Sequence, residues 1–456
     1  MTTAAVRPDA ALWRLGGVLI MGAVLSILDA TIVTVGIDSI ARDLGSPLPT
    51  VQWVASAYLL AASAAIPLSG WLTDRFGGRA VWLTAVAIFT AGTLLCGFAW
   101  SAPALIAFRV LHGLGGGLMQ PVGQAVFAQA AGPALGRMIG VIALPATVAP
   151  VLGPLLGGAL VADFGWRWMF FGIVPLGVAT FVFARRLLPA PSPDGVREPL
   201  DVRGIALLSP GLGAFVYGLA EGAAVAWVAG AALLLAYGVH AARTPSAVLD
   251  LKLFRDKGFS VASGSTFLLG ASLYSSMLLL PLYYQQVEHA SPLRAGLLLA
   301  PQALGSAAVM LAGGRLQARF GPRRMMLAGI GLSLVGTIAF TQLGSAPGGV
   351  LLMLSLVVRG AGLGAAATPG MTTLYSSLER SRIPRAASAF NVINRIGGSL
   401  GTALLAAILH GELATAAAPT AFATTFTWAL AFTALTLIPA AFFPRRPATA
   451  SFRKGV

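Results

Sequence analysis

Apolar residues run through this chain in stretches of about twenty, broken by short polar gaps. A helix needs roughly 20 such residues to cross the hydrocarbon of a bilayer, where every backbone polar group must be satisfied within the segment. The runs predict fourteen spans, over 13–36, 51–72, 80–99, 103–127, 138–161, 168–187, 204–220, 224–241, 260–285, 294–313, 325–344, 348–371, 386–409 and 423–443. The seventh and eighth are the shortest, and twelve or thirteen spans is the alternative count. The first run exceeds the core of a signal peptide and no A-x-A-like cleavage site follows it, so it reads as a retained span. The expected architecture is an all-α integral membrane protein.

Composition agrees with the pattern: 57% of the 456 residues are hydrophobic and 10% charged, with a mean hydropathy of +0.83. The formal charge of +15 would suit nucleic acid only if it formed one stripe, and here it is scattered through the gaps between apolar runs. Placing both termini in the cytoplasm puts twenty-four of the 30 basic residues on that side. Arg42, Arg167 and Arg294 fall opposite, while Arg109, Arg359 and Arg395 fall inside spans. This asymmetry orients the chain as a multi-pass protein of the cell membrane with an even number of spans. Cys96, the only cysteine, permits neither an intrachain disulfide nor a cysteine metal cluster. None of the three lysines, Lys252, Lys257 and Lys454, follows a glycine, so there is no Walker A loop for ATP. Hydrolase and haem-carrier signatures are also missing from the sequence, and neither enzymatic activity nor a cofactor is expected.

The chain repeats itself. Gly70 to Arg79 reads GWLTDRFGGR and Gly314 to Arg323 reads GRLQARFGPR, identical at six of ten positions at an offset of 244. The same offset carries Gly153 and Gly157 onto Gly397 and Gly401, and RVLHGLG from Arg109 pairs with RGAGLG from Arg359 near it, with a small gap. Eight predicted helices separate the copies, so both face the same side and the halves are parallel repeats. The expected domains are a first six-helix half over 1–190, a linker with two inserted helices over 191–258, and a second six-helix half over 259–456. The linker proper is the PSPDGVREP stretch at 191–199.

Several segments resemble the major facilitator superfamily and, within it, the fourteen-helix drug:proton antiporter family of the EmrB/QacA type. Gly70, Asp74, Arg75, Gly77 and Arg79 resemble the superfamily's motif between its second and third helices, and Arg109 with Gly113 its fourth-helix motif. Gly153, Pro154, Gly157 and Gly158 are similar to the fifth-helix motif of antiporters. LDATIV from Leu28, WVASAYLL from Trp53 and WRWMFF from Trp166 look like signatures of the fourteen-helix branch, from which Thr34, Ser39, Ile173 and His112 depart. The resemblance covers nearly the whole chain and implies a major facilitator fold that exchanges protons for a small amphiphilic solute.

Asp29 is the one carboxylate well inside a predicted span. A buried carboxylate must find a partner or a proton, and the resemblance implies a site that alternates between proton and substrate; the bland reading is an acid in water near the outer mouth. On the fourth span, steps of three and four place Arg109, His112, Gly116, Gln120 and Gln124 on one face, which is too polar to meet lipid. Arg109 either relays to Asp29 or ties backbone carbonyls. Asn391, Asn394 and Arg395 make a similar face on the thirteenth span, and Tyr58 on the second is a cavity aromatic or a packing residue. The Asp74, Arg75 and Arg79 loop is a gate of charges on the cytoplasmic side or merely a topology signal, and Ala318 replaces the acid in the second copy. Pro145, Pro150 and Pro154, with Gly153 and Gly157, read as a bent, close-packed seam between the halves.

The function expected from all this is proton-coupled export of a drug-like amphiphile by a monomer. An exporter of one antibiotic or metabolite is the first rival, and a membrane sensor or subunit that does not transport is the second. Nothing in the chain identifies a protein partner such as a periplasmic adaptor.

Overall fold

The computed structural model describes residues 10–135, 138, 145–189, 199–244, 247–345, 347–376 and 378–444. The predicted linker at 191–199 and the start of the predicted span at 138–161 lie mostly outside them. Within the described residues the chain is helical from end to end. The described residues form two compact units, the first drawn from within 1–135, 152–251 and 380–392, the second from within 136–151, 252–379 and 393–456.

The first unit contains α1 (Ala10–Asp43), α2 (Leu48–Ala65), α3 (Leu68–Phe76), α4 (Gly78–Gly97) and α5 (Ala102–Ala131). To it also belong most of α6 (Pro145–Phe164), with α7 (Arg167–Phe171), α8 (Val174–Leu187), α9 (Val202–Ala220) and α10 (Ala224–Arg243). α2 and α3 form one predicted span that bends by 54°. Pro67 stands at the break, where its missing N–H and its ring interrupt the helical ladder. α5 packs against α1, α2 and α4, which makes it the buried spine of the unit, and α9 rests on α2 and α10. The second unit holds α11 (Lys257–Gln286), α12 (Pro292–Phe320), α13 (Pro322–Ile338) and α14 (Gly349–Ser376). It continues with most of α15 (Ile383–Leu413), then α16 (Ala418–Leu435) and α17 (Leu437–Ala440). α14 is its spine, packed on α11, α12 and α13.

Helix starts are written in the local sequence. The Ser101, Asp201, Asp256 and Ser291 side chains accept from Ala104, Gly204, Phe259 and Arg294 backbone N–H groups, satisfying first-turn donors that have no partner in the helix. Large apolar side chains point outward, among them Val225 at 85% and Leu235 at 73% exposure. A water-facing protein would bury that surface, whereas acyl chains accept it.

Among the described residues, twelve helices are long and apolar enough to span a membrane, or thirteen with the bent α2–α3 pair counted as one. The protein is therefore a multi-pass membrane protein. α6 lies over the remaining predicted span, which runs partly outside the described residues, so the count of fourteen stays an expectation.

Candidate functional site

α5 places Arg109 against Asp29 of α1, eighty residues earlier, with the guanidinium NH1 donating to Asp29 Oδ2 at 2.6 Å. The two side chains are 1% and 0% exposed. Arg109 Nε donates to the Val54 carbonyl of α2 at 2.9 Å, and NH1 also donates to His112 Nδ1 at 3.0 Å. The Tyr58 ring lies against the guanidinium, 4.2 Å from its carbon to the ring centroid, and the Tyr58 hydroxyl donates to the Ser26 carbonyl at 3.2 Å. Five N–H donors on a delocalised plane suit arginine, rather than lysine, to hold acid, carbonyl, imidazole and ring together.

His112 has a definite hydrogen-bond role. Its Nε2 sits 2.8 Å from Thr93 Oγ1, and the Thr93 hydroxyl donates its one hydrogen to the Phe89 carbonyl at 2.8 Å. Nε2 must then carry the ring hydrogen, which leaves Nδ1 as the acceptor for Arg109. A neutral ring completes every bond in the chain from Asp29 to Phe89. One atom is left over: Asp29 Oδ1 is buried and has no hydrogen-bond partner among the described residues.

Glycines make this closeness feasible. A Cβ on Gly113 would lie 2.9 Å from Ala61 Cβ, and one on Gly116 would meet the Tyr58 ring. α2 can therefore lie against α5 and bring Tyr58 under Arg109. On the other side, a Cβ on Gly92 would be 2.7 Å from His112 Cα, so the bare α4 surface there brings Thr93 within reach of the imidazole.

The same steric contacts re-register the second internal repeat. Gly113 and Gly115 face the Tyr58 carbonyl and the Ala85 to Phe89 backbone, and Gly117 faces Ala62; Gly360, Gly362 and Gly364 face Gln302, Gly329 to Ser333, and Ser306 in the same way. Gly92 faces His112 as Gly336 faces Arg359. The pairing of Arg109 with Arg359 is thus corrected: Arg359 occupies the seat of His112, because close backbone contacts, not residue identity, set the register.

The remaining predicted residues are distributed as follows. Gln124 Oε1 accepts from Asn391 Nδ2 at 2.8 Å inside the first unit, and Gln120 is half-buried on the same helix. Asn394 and Arg395 belong to the second unit, where Asn394 packs on Gly270 of α11. Asp74 Oδ2 accepts from Arg385 Nε at 2.8 Å, again within the first unit, and a Cβ on Gly70 would sit 3.1 Å from Arg385 Cα. Arg79 reaches the Arg185 carbonyl at 2.6 Å, Arg75 is exposed, and Gly77 turns the chain into α4 at φ 81°, as Gly321 does at 79° in the second copy.

The glycines of α6 lie close against α1. A Cβ on Gly153 would lie 2.7 Å from Thr31 Cβ, and one on Gly157 2.8 Å from Ile32 Cγ1 and 3.0 Å from the Ile32 carbonyl, all on α1 in the same unit. The reason is geometric, since small residues let the helix lie close to whichever backbone comes nearest. The Pro145, Pro150 and Pro154 side chains lie outside the described residues. Gly157→Ala is expected to destabilise by about 1–3 kcal/mol through overpacking. Gly158→Ala, whose Cβ meets nothing within 4 Å, should be neutral, and equal losses in thermal unfolding of the two variants would refute the seam.

Sequence reasoning missed Thr93, the Val54 carbonyl and a clasp at the far end of α1. Asp43 Oδ2 accepts from Trp166 Nε1 at 2.9 Å and from Arg167 NH1 at 2.5 Å. Those two bonds hold the Asp43 carboxyl below the ordinary carboxylate range. Such a group stabilises above its unfolded value and loses that contribution only as pH falls through the lower folded one, so the clasp is indifferent to pH near neutrality. The WRW signature was the available signal, but it does not name the acid.

The "Major Facilitator Superfamily" family model matches residues 19–402 and 262–456. "Multidrug resistance protein B homolog" of Mycobacterium tuberculosis is 34% identical, covering 97% of this chain and 92% of its own length. "Putative multidrug resistance protein MdtD" of Klebsiella pneumoniae is 31% identical with 96% of each covered, and "Multidrug export protein EmrB" of Haemophilus influenzae is 30% identical over 83% and 77%. Among solved structures, the human organic anion transporter MFSD10 superposes with a TM-score of 0.68 at 18% identity, covering 95% of this chain and all of that one. The proton:xylose symporter XylE gives 0.63 at 15%, over 94% and 95%. With two spines of glycine-packed helices, a loop motif present twice and a family match over nearly its whole length, this chain belongs to the Major Facilitator Superfamily.

Proposed function

We propose that this protein is a secondary active exporter of amphiphilic, drug-like molecules that exchanges substrate for protons at Asp29 by alternating access. The observation that carries the reading is the Asp29–Arg109 pair: a carboxylate with no exposure, one oxygen committed to a permanent cation and the other unpartnered among the described residues. Such an acid can trade its charge for a proton only by disrupting a buried network, and that links protonation to conformation. The relatives' names, multidrug resistance and multidrug export, support the substrate class. In this reading Arg109 tunes the acid, Tyr58 and His112 position Arg109, and Gln120, Gln124, Asn391, Asn394 and Arg395 line the substrate's path. The chain works as a monomer with fourteen spans, two six-helix halves, an inserted pair and both termini in the cytoplasm.

The energetics suffice. About 2.3 kcal/mol per charge for 100 mV and about 1.4 for one pH unit support a gradient of roughly 500-fold per proton. The direct test is drug susceptibility of cells expressing wild type or Asp29→Asn. Protection should vanish in the variant at equal membrane abundance, and protection retained by Asp29→Asn would end the proposal.

Asp74 and Arg385 form the cytoplasmic gate in this reading, with Gly70 permitting the approach. Asp74→Asn removes the carboxylate that accepts from the mostly buried Arg385 guanidinium, and efflux of a dye is expected to slow by about tenfold. Substitution of Ala318, which has no acid to lose, should change the rate less than twofold; equal effects at the two positions would dismiss the gate.

A further inference from the structure

Arg359, in the seat that His112 fills in the first unit, is a buried cation with no acid beside it among the described residues. The side chain is 2% exposed. Nε donates to Thr337 Oγ1 at 3.1 Å, NH1 to Gln302 Oε1 at 2.7 Å, and NH2 to Ser276 Oγ. All three partners are neutral, and no carboxylate lies within ion-pair distance of Arg359 among the described residues. The first-unit cluster sums to zero when Asp29 is ionised, whereas this one keeps a full positive charge.

Three of the guanidinium's five N–H groups are used, so two stay available. The hydroxyls of Ser276 and Thr337 spend their own hydrogens on the Ser272 and Ser333 carbonyls at 2.6 and 2.7 Å, so they can only accept. Gln302 accepts from Arg359 through Oε1, which turns its amide N–H₂ group into a further donor at the same place. Gln302 is half-buried rather than sealed. Two free guanidinium N–H groups beside a free amide N–H₂ make a donor set of one sign, fitted to a planar anion. A merely structural tie among these hydroxyls would not need an ionised group, whose burial unpaired is costly in a bilayer.

We propose that Arg359, oriented by Ser276 and Thr337 and assisted by Gln302, binds the carboxylate or sulfonate end of an exported amphiphile. The assignment rests on the exporter reading and narrows its substrate class to molecules that include organic anions.

The test uses purified full-length protein in uncharged phosphatidylcholine vesicles, with dansyl-phenylalanine and its methyl ester as a pair of probes alike in shape that differ in the charge of one carboxyl group. Arg359→Gln should weaken binding of the acid by at least about tenfold and leave the ester within twofold. Equal weakening of both, no change in either, or wild-type protein that binds the ester and not the acid would overturn the assignment while leaving the exporter reading intact. Wild-type protein that binds neither probe also overturns it, and the exporter reading is then judged separately by the Asp29→Asn cells. Should Arg359→Gln fail to fold, the wild-type unfolding midpoint decides: a rise with the acid alone supports the site, and an equal rise with acid and ester refutes it.

Discussion

Asp29→Asn is expected to abolish uphill, proton-driven transport while sparing exchange of labelled for unlabelled substrate across vesicles with no gradient. The amide keeps the shape of the carboxyl and an acceptor for Arg109 NH1, which now donates at 2.6 Å, but it has no proton to release. Its cost to the fold is also predictable. Removing one partner of a buried pair leaves a stranded charge and costs about 3–5 kcal/mol, more than the pair itself is worth. Arg109→Gln alone should be similarly damaging, since it strands the acid and vacates the bonds to Val54 and His112. The double variant Asp29→Asn with Arg109→Gln removes both charges and should recover much of that loss, giving a coupling energy of about 3 kcal/mol or more in a double-mutant cycle. Its transport should stay uncoupled. Stability and coupling thus move apart, which separates a proton carrier from a structural ion pair: a double variant that regained uphill transport would show that the pair only holds the helices.

Gly115→Val should be severely destructive although it lies outside the charged network. A Cβ there would lie 2.5 Å from the Phe89 nitrogen and 2.7 Å from the Ala85 carbonyl oxygen, and both are backbone atoms of α4 that cannot swing aside. Overpacking of flexible side chains typically costs 1–3 kcal/mol; with two helix backbones in the way the loss should be about 3 kcal/mol or more. The damage should also spread, because displacing α4 separates Thr93 from His112 and frees the end of the hydrogen-bond chain. Gly331→Val, where a Cβ meets nothing within 4 Å, serves as the control. Fluorescence size-exclusion and thermal unfolding of the two variants provide the measurement. A Gly115→Val protein that unfolds at the wild-type temperature would mean that α4 and α5 are not so tightly seated.

The order and approximate limits of the apolar helices, apart from the predicted span at 138–161, were legible along the chain because a bilayer sets a length that each helix must meet, and meeting it leaves a run of apolar letters. The loop motif at Gly70 and its copy at Gly314 were legible too, since a sharp turn at Gly77 and Gly321 requires a residue that tolerates positive φ. Asp29 and Arg109 stood out singly, as charges in apolar surroundings. That they touch was not legible: eighty residues separate them, and their meeting depends on the depth and rotation of two helices, which no spacing within one helix records. The partner of Asp74 was hidden for the same reason, lying at Arg385 at the start of α15. Alignment by identity misled outright at Arg359, where matching letters paired it with Arg109. Backbone contact through Gly360, Gly362 and Gly364 gave it instead the place of His112. Along the chain, the cost of apolar burial and backbone satisfaction dictates which segments cross the membrane; which buried charge faces which neighbour is decided by close packing, which acts between helices and only in three dimensions.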